Sequence, residues 1–255
     1  MEPVEQNTSA MTNPREGDPS EGVFETLLIA AGEPIELSSH LARLGASTEE
    51  LYDEALPGGL ADDAAERSRG LDLGRLKIVI APGSGGLRQT LAVEEIDPRD
   101  HFPAWEQGAA LHSVECEGGL GRHKWADRRR LPSLPEAALP LLVDRGQVLE
   151  ASRANVFALV DGTLVTPAAD GRILPGIARA GVLAAVAELG VTVAERSLSR
   201  DELLGAQEVF LTGSIRGVEP ARSLDGTALP RPGDLGRQLG DALRRSWLGA
   251  PVAPR

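Results

Sequence analysis

The segment 118–130 reads GGLGRHKWADRRR, with Lys124 set among arginines. Of the 26 basic side chains only Lys77 and Lys124 are lysines, so arginine stands almost everywhere that a lysine could. A lysine kept against that bias points to chemistry a guanidinium cannot perform. A primary amine forms a Schiff base with a carbonyl; arginine does not. Taken singly, Lys124 reads more readily as a solvated lysine in a basic loop, and it is its company downstream that weighs against that.

Glu150 closes the run VLE and leads into ASRANVF. A carboxylate at a strand end can face the ring nitrogen of pyridoxal phosphate, whose protonated ring accepts electrons. LPGIAR, at 174–179, puts Pro175 and Gly176 where a helix begins. Backbone amides there can hold a phosphate at the positive end of the helix dipole. Ser214, in LTGS, offers a hydroxyl, and Arg43, in HLARL, offers a bidentate charged contact. Each also has a plain structural use: a helix entry, a strand end, a solvated helix face.

Other motifs fail. PGSGGLR, at 82–88, lacks the GK[ST] ending of a P-loop and the spacing of GxGxxG, so it is expected to join two strands, with Arg88 a candidate substrate contact. His40, His101, His112 and His123 have no metal-ligand spacing, and no metal is expected. No GxSxG is present. One tyrosine, Tyr52, excludes a mechanism that needs several.

The elements around these residues are those of a globular chain of 255 residues. A net charge of −12 argues against nucleic acid or an anionic membrane as main partner, while leaving room for a local basic pocket. The lone Cys116 forms no internal disulfide, which suits the cytoplasm, and no run approaches a membrane span. Residues 1–20 are polar and read as a disordered leader. An α/β (α+β) fold in two parts is expected: a small N-terminal part at 21–98, a linker at 99–106, and a larger part at 107–250 that carries Lys124 and Glu150.

In the first part, GVFETLLIAAGEPIEL predicts two strands about an Ala-Gly turn, followed by a helix capped at Ser38 or Ser39. GRLKIVIAPG and LAVEEID predict a hairpin. In the second part, PLLVDRGQVLE and NVFALVDGTLVTP predict hairpins turning at Arg145-Gly146 and Asp161-Gly162. GIARAGVLAAVAELG predicts a helix stopped by Gly190. Ser199 is expected to cap SRDELLGA, and Leu235, Leu239, Leu243 and Trp247 line a last helix.

GVFETL, HLARL, HKWADR, VLEASRANVFALVDGTLVTP, ILPGIAR and EVFLTGSIRGVEP follow one another over about 21–222. In that order they resemble the class IV aminotransferase family, the fold type IV pyridoxal-phosphate enzymes. The resemblance implies a homodimer of two-domain chains with pyridoxal 5'-phosphate in the interdomain cleft. It implies Lys124 as the coenzyme-bearing lysine and Glu150 as partner of the pyridine nitrogen. Arg43, the backbone of Ile177 and Ala178, and Ser214 correspond to the phosphate ligands, and Asn155 lies near the coenzyme.

HKWADR most resembles the aminodeoxychorismate lyase branch. That implies elimination of pyruvate from 4-amino-4-deoxychorismate to give 4-aminobenzoate for folate, with an aminodeoxychorismate synthase as candidate partner. This substrate is an anionic amine with two carboxylates, for which Arg88 and Arg216 are candidate anchors. A class IV amino-acid transaminase is the alternative, and an inactive coenzyme-binding domain the third. Two departures stand out: the family's first strand with its Asn-Gly turn is replaced by the polar leader, and Pro132 and Pro135 interrupt the helix expected after Lys124.

Overall fold

The computed structural model describes residues 17–132, 134, 138–230 and 233–249. Most of the leader, together with Pro135, lies outside them. The chain runs β1 (Val23–Ala30), β2 (Glu33–Pro34), α1 (Leu37–Tyr52), α2 (Leu60–Ser68), β3 (Leu73–Gly83), β4 (Gly86–Glu95), β5 (Ala109–Glu115), β6 (Ala138–Asp144) and β7 (Gln147–Ala151). It continues β8 (Asn155–Val160), β9 (Thr163–Thr166), α3 (Ile177–Leu189), β10 (Val193–Glu195), β11 (Leu198–Ser199), α4 (Arg200–Gly205), β12 (Glu208–Gly213), β13 (Gly217–Leu224), β14 (Thr227–Ala228) and α5 (Asp234–Leu248).

The first four strands form one sheet in the order β2-β1-β3-β4. Alternation along β1 divides its side chains between two faces. Val23, Glu25 and Leu27 are buried beneath the helices with Leu44, Leu60, Leu76, Ile78 and Ile80, while Phe24 and Thr26 are left partly open on the other face. Ala31 and Gly32 make the β1–β2 turn with φ of 50° and 81°, the twist a two-residue hairpin needs. The turns at Arg145-Gly146 and Asp161-Gly162 repeat it. α1 starts before Ser38: its cap is Glu36, and Ser39 Oγ donates to the Glu36 carboxylate at 2.9 Å instead of capping.

The remaining strands form a mixed ten-stranded sheet, β10-β9-β8-β12-β13-β5-β6-β7-β11, with β14 on β13. Phe157 of β8 and Phe210 of β12 stack at 5.3 Å and lie in one core with α3 and α5. Each such buried ring contributes roughly 1.5–3 kcal/mol by leaving water. Leu239, Leu243 and Trp247 of α5 are buried there as the four-residue spacing requires. Ser199 caps α4 in a reciprocal capping box with Glu202.

Two further expectations need correction. Residues 17–20 are ordered rather than part of a loose leader: Pro19–Glu21 form a 3-10 turn, and Tyr52 Oη donates to the Pro19 carbonyl at 2.8 Å. The segment at 99–106 is not a free linker, because Phe102 and Trp105 pack into the α5 core. Among the described residues no helix is long and apolar enough to cross a membrane.

Candidate active site

Lys124 is fixed by what its neighbours bury. Trp125 is 3% exposed, and its indole donates to the Leu120 carbonyl at 3.1 Å. His123, also buried, meets Ser47 Oγ at 3.0 Å. The backbone docks on the start of β1, with Phe24 N donating to Lys124 O at 2.8 Å and Ala126 N to Gly22 O at 2.9 Å. Upstream, Gly119 has φ of 74°, and a Cβ there would lie 2.0 Å from the Arg172 carbonyl oxygen, so only glycine lets the loop approach. With both flanks anchored, the Lys124 side chain enters a cavity of about 750 Å³. That volume suits a small-molecule site.

The Lys124 amine lies 4.9 Å from the centre of the Phe24 ring. Burial is the main reason its pKa falls from 10.5 to about 8; Glu25 and Glu150 oppose the fall, and Arg43 and Arg128 reinforce it. Glu150, at the end of β7, lines the same cavity. Burial pushes its carboxyl up to about 8 against the Leu174 amide and the charges of Lys124, Arg128 and Arg43. Its recorded bonds, from Leu174 N at 3.2 Å and Asn155 Nδ2 at 3.4 Å, both go to Oε2.

Across the cavity, α3 begins at Ile177 with Gly176 as N-cap and no side-chain cap. The first amides of that helix therefore keep free donors beside the lining residues Ile177, Ala178 and Ser214. Gly176 is needed because a Cβ there would come within 2.0 Å of Asn155 Oδ1, while Asn155 Nδ2 holds the Leu174 carbonyl at 2.9 Å. Thr212, 2% exposed, lines the cavity with its Oγ1 unpartnered among the described residues. This hydroxyl was not selected from the sequence, because its lack of a partner shows only in the fold.

Arg43 reaches the same wall already engaged. Nε and Nη2 donate to Glu25 at 2.8 and 2.7 Å, and Nη1 donates to the Pro175 carbonyl at 2.7 Å. The fork expected to grip a phosphate thus grips Glu25, leaving Arg43 its outer N–H groups and its charge beside the helix start. Burial opposes ionisation of Glu25, but the bonds from His40 and Arg43 outweigh it and hold the carboxyl down at about 2.

The two expected substrate anchors part company. Arg216 lines the cavity but is paired with Glu219 and Asp100, each at 2.5 Å. Arg88 is exposed on β4 and does not line the cavity. The reason is the length of the β3–β4 hairpin: its turn leans on Glu54, whose carboxylate accepts from Leu87 N at 3.2 Å, and only the far end at Glu94–Ile96 reaches the site. The sequence also passed over Arg128, Arg153 and Glu219, all lining residues.

The donor set suits pyridoxal phosphate: an amine of lowered pKa, a buried carboxyl, an uncapped helix start and an unpartnered hydroxyl share one cavity. Comparisons with known proteins agree. The family profile of amino-transferase class IV matches residues 125–224. The branched-chain-amino-acid aminotransferase of Escherichia coli K12 is 41% identical over 81 residues, 32% of this chain and 26% of that protein. The mitochondrial branched-chain-amino-acid aminotransferase 1 of Arabidopsis thaliana is 42% identical over 135 residues, 52% of this chain and 34% of that protein. The matched segments thus span about a quarter to a third of these curated relatives. Among solved structures, the 4-amino-4-deoxychorismate lyase of Pseudomonas aeruginosa superposes with TM-score 0.76 at 28% identity, covering 91% of this chain and 92% of that one. A fold IV transaminase of Curtobacterium pusillum gives 0.72 at 27%, covering 89% and 85%.

Proposed function

We propose that this chain is a member of the class IV amino-transferase family and a pyridoxal-phosphate lyase that releases pyruvate from 4-amino-4-deoxychorismate to leave 4-aminobenzoate. The carrying observation is the placement of the Lys124 amine and the Glu150 carboxyl in one cavity beside an uncapped helix start. In this reading Lys124 bears the coenzyme. Glu150 holds its ring nitrogen, and the amides of Ile177 and Ala178, with Ser214, Thr212 and the outer N–H groups of Arg43, hold its phosphate.

When bound, the coenzyme supplies a ring that takes up the electron pair left by proton removal. The chain's own part is proton handling and placement. Lys124 Nζ, with a pKa near 8, has an appreciable neutral fraction at physiological pH and serves as base toward the carbon bearing the substrate nitrogen. The Phe24 ring beneath it keeps water from one side of the amine. Asn155 steadies Glu150 and the Leu174 carbonyl together, so the carboxyl and the helix start keep a fixed spacing.

The lyase reading draws support from HKWADR, from the likeness to the Pseudomonas aeruginosa lyase, and from Tyr52, whose hydroxyl is tied to Pro19 outside the cavity. The curated relatives favour a second reading, amino-acid transamination. One assay separates them: pyruvate formed from 4-amino-4-deoxychorismate without any keto-acid acceptor. Pyruvate release upholds the lyase; its absence, with amino transfer to a keto-acid, replaces it by the transaminase. A homodimer belongs to the same proposal.

A further inference from the structure

Among the described residues six arginines line the cavity, and five of them are engaged. Arg43 is clamped by Glu25, Arg75 pairs with Glu94, and Arg153 meets Glu219 at 3.2 Å. Arg216 lies between Glu219 and Asp100. Arg130 donates to the Gly119 and Glu117 carbonyls and to Cys116 Sγ, tying down the glycine loop. Arg128 differs. Its one recorded hydrogen bond goes from Nη2 to the Ser152 carbonyl, and among the described residues it has no carboxylate partner. Four of its five N–H donors have no acceptor among the described residues.

Its position is equally specific. Arg128 stands four residues after Lys124, and its guanidinium carbon lies 5.9 Å from the centre of the same Phe24 ring that underlies the Lys124 amine. Burial weighs against its charge, and Glu150 is the acid that supports it. A partly buried, hydrogen-bond-poor guanidinium carries an unmet demand for an anion, which a carboxylate answers with two parallel bonds. That demand is presented beside the reacting amine.

We propose that Arg128 anchors a carboxylate of the amine substrate, holding it in a bidentate contact that sets the reacting carbon over Lys124. The choice of a ring-borne carboxylate rests on the lyase reading; the anchor itself does not. A substrate carboxylate here completes the Arg128 donor set, whereas Arg153 and Arg216 are already neutralised by Glu219 and Asp100 and need no further anion.

The test uses coenzyme-loaded protein and calorimetric titration with two acid–amide pairs: 4-aminobenzoate with 4-aminobenzamide, and 4-methylpentanoate with its amide. The native chain is expected to prefer one acid over its amide. Arg128→Gln removes that preference, weakening the acid about ten- to a hundredfold while the amide and coenzyme uptake stay unchanged. Arg128→Lys, which keeps the charge and loses the fork, retains part of the preference and serves if the glutamine variant misfolds. The anchor is overturned if neither acid is preferred over its amide, if the preference survives both substitutions, or if the variants lose coenzyme with acid binding intact. If only the aliphatic acid is preferred and Arg128→Gln abolishes it, the anchor stands and the lyase reading falls.

Discussion

Lys124 and Glu150 act on each other across one cavity, and each is pushed toward its neutral form, both to a pKa of about 8. An ordinary lysine would stay charged and an ordinary glutamate ionised at neutral pH. Here burial weighs on both, and their mutual attraction offsets it only in part. The site is thus held in a state that a bound cofactor with a ring nitrogen and an aldehyde would relieve.

The amine should show this directly. Reductive methylation of Lys124 in coenzyme-free protein, followed residue by residue with pH, is expected to rise through a midpoint near 8, because the unprotonated amine is the reactive form. A midpoint above 10 would remove the physical ground for its role as base.

Glu150 should be dispensable for folding and necessary for work. Its raised pKa means that ionising it costs folded-state stability as pH climbs from about 4.5 through about 8. Glu150→Gln is therefore expected to leave the coenzyme-free melting temperature at pH 8.5 unchanged or higher, while turnover falls at least about a hundredfold. A clear loss of melting temperature with turnover retained would make Glu150 structural.

Glu25 behaves in the opposite sense. Its carboxyl is held at about 2, so the stability it lends is fully present above about 4.5 and is lost as pH falls toward 2. Glu25→Gln leaves Arg43 without its buried partner and is expected to cost on the order of 3 kcal/mol at pH 7. The difference between native and variant should shrink on acidification, as denaturant titrations at pH 7 and pH 3 would reveal. An equal difference at both pH values would contradict the ion-pair account.

Gly176 tests the helix start. Alanine there would set a Cβ 2.0 Å from Asn155 Oδ1, displacing the side chain that spaces Glu150 from α3. Coenzyme affinity, read by absorbance titration, is expected to drop about tenfold or more. Unaltered affinity would detach the α3 amides from the coenzyme site.

Much of this was legible in the chain because short-range rules dominate where the elements are short. The paired turns at Arg145-Gly146 and Asp161-Gly162, the Ser199 cap and the four-residue spacing along α5 each follow from local geometry. β13 was not read as a strand: Pro220 and Arg222 break its pattern, yet Pro220 sits centrally, opposite Phe210. Lys124 and Glu150 stood out by residue type and neighbours. Arg128 and Thr212 did not, because what marks them, a missing carboxylate partner for the one and a missing hydrogen-bond partner for the other among the described residues, shows only in the folded arrangement. That Arg88 stands away from the cavity and that Arg43 is already gripped by Glu25 stayed hidden for the converse reason, since hairpin length and a buried glutamate decide where they point and what they hold.

The most direct measurement is borohydride reduction of coenzyme-loaded protein followed by peptide mass mapping. The account predicts one reduced coenzyme adduct, on the peptide that contains Lys124, and none on Lys77. An adduct at Lys77, or no covalent adduct at all, would contradict it.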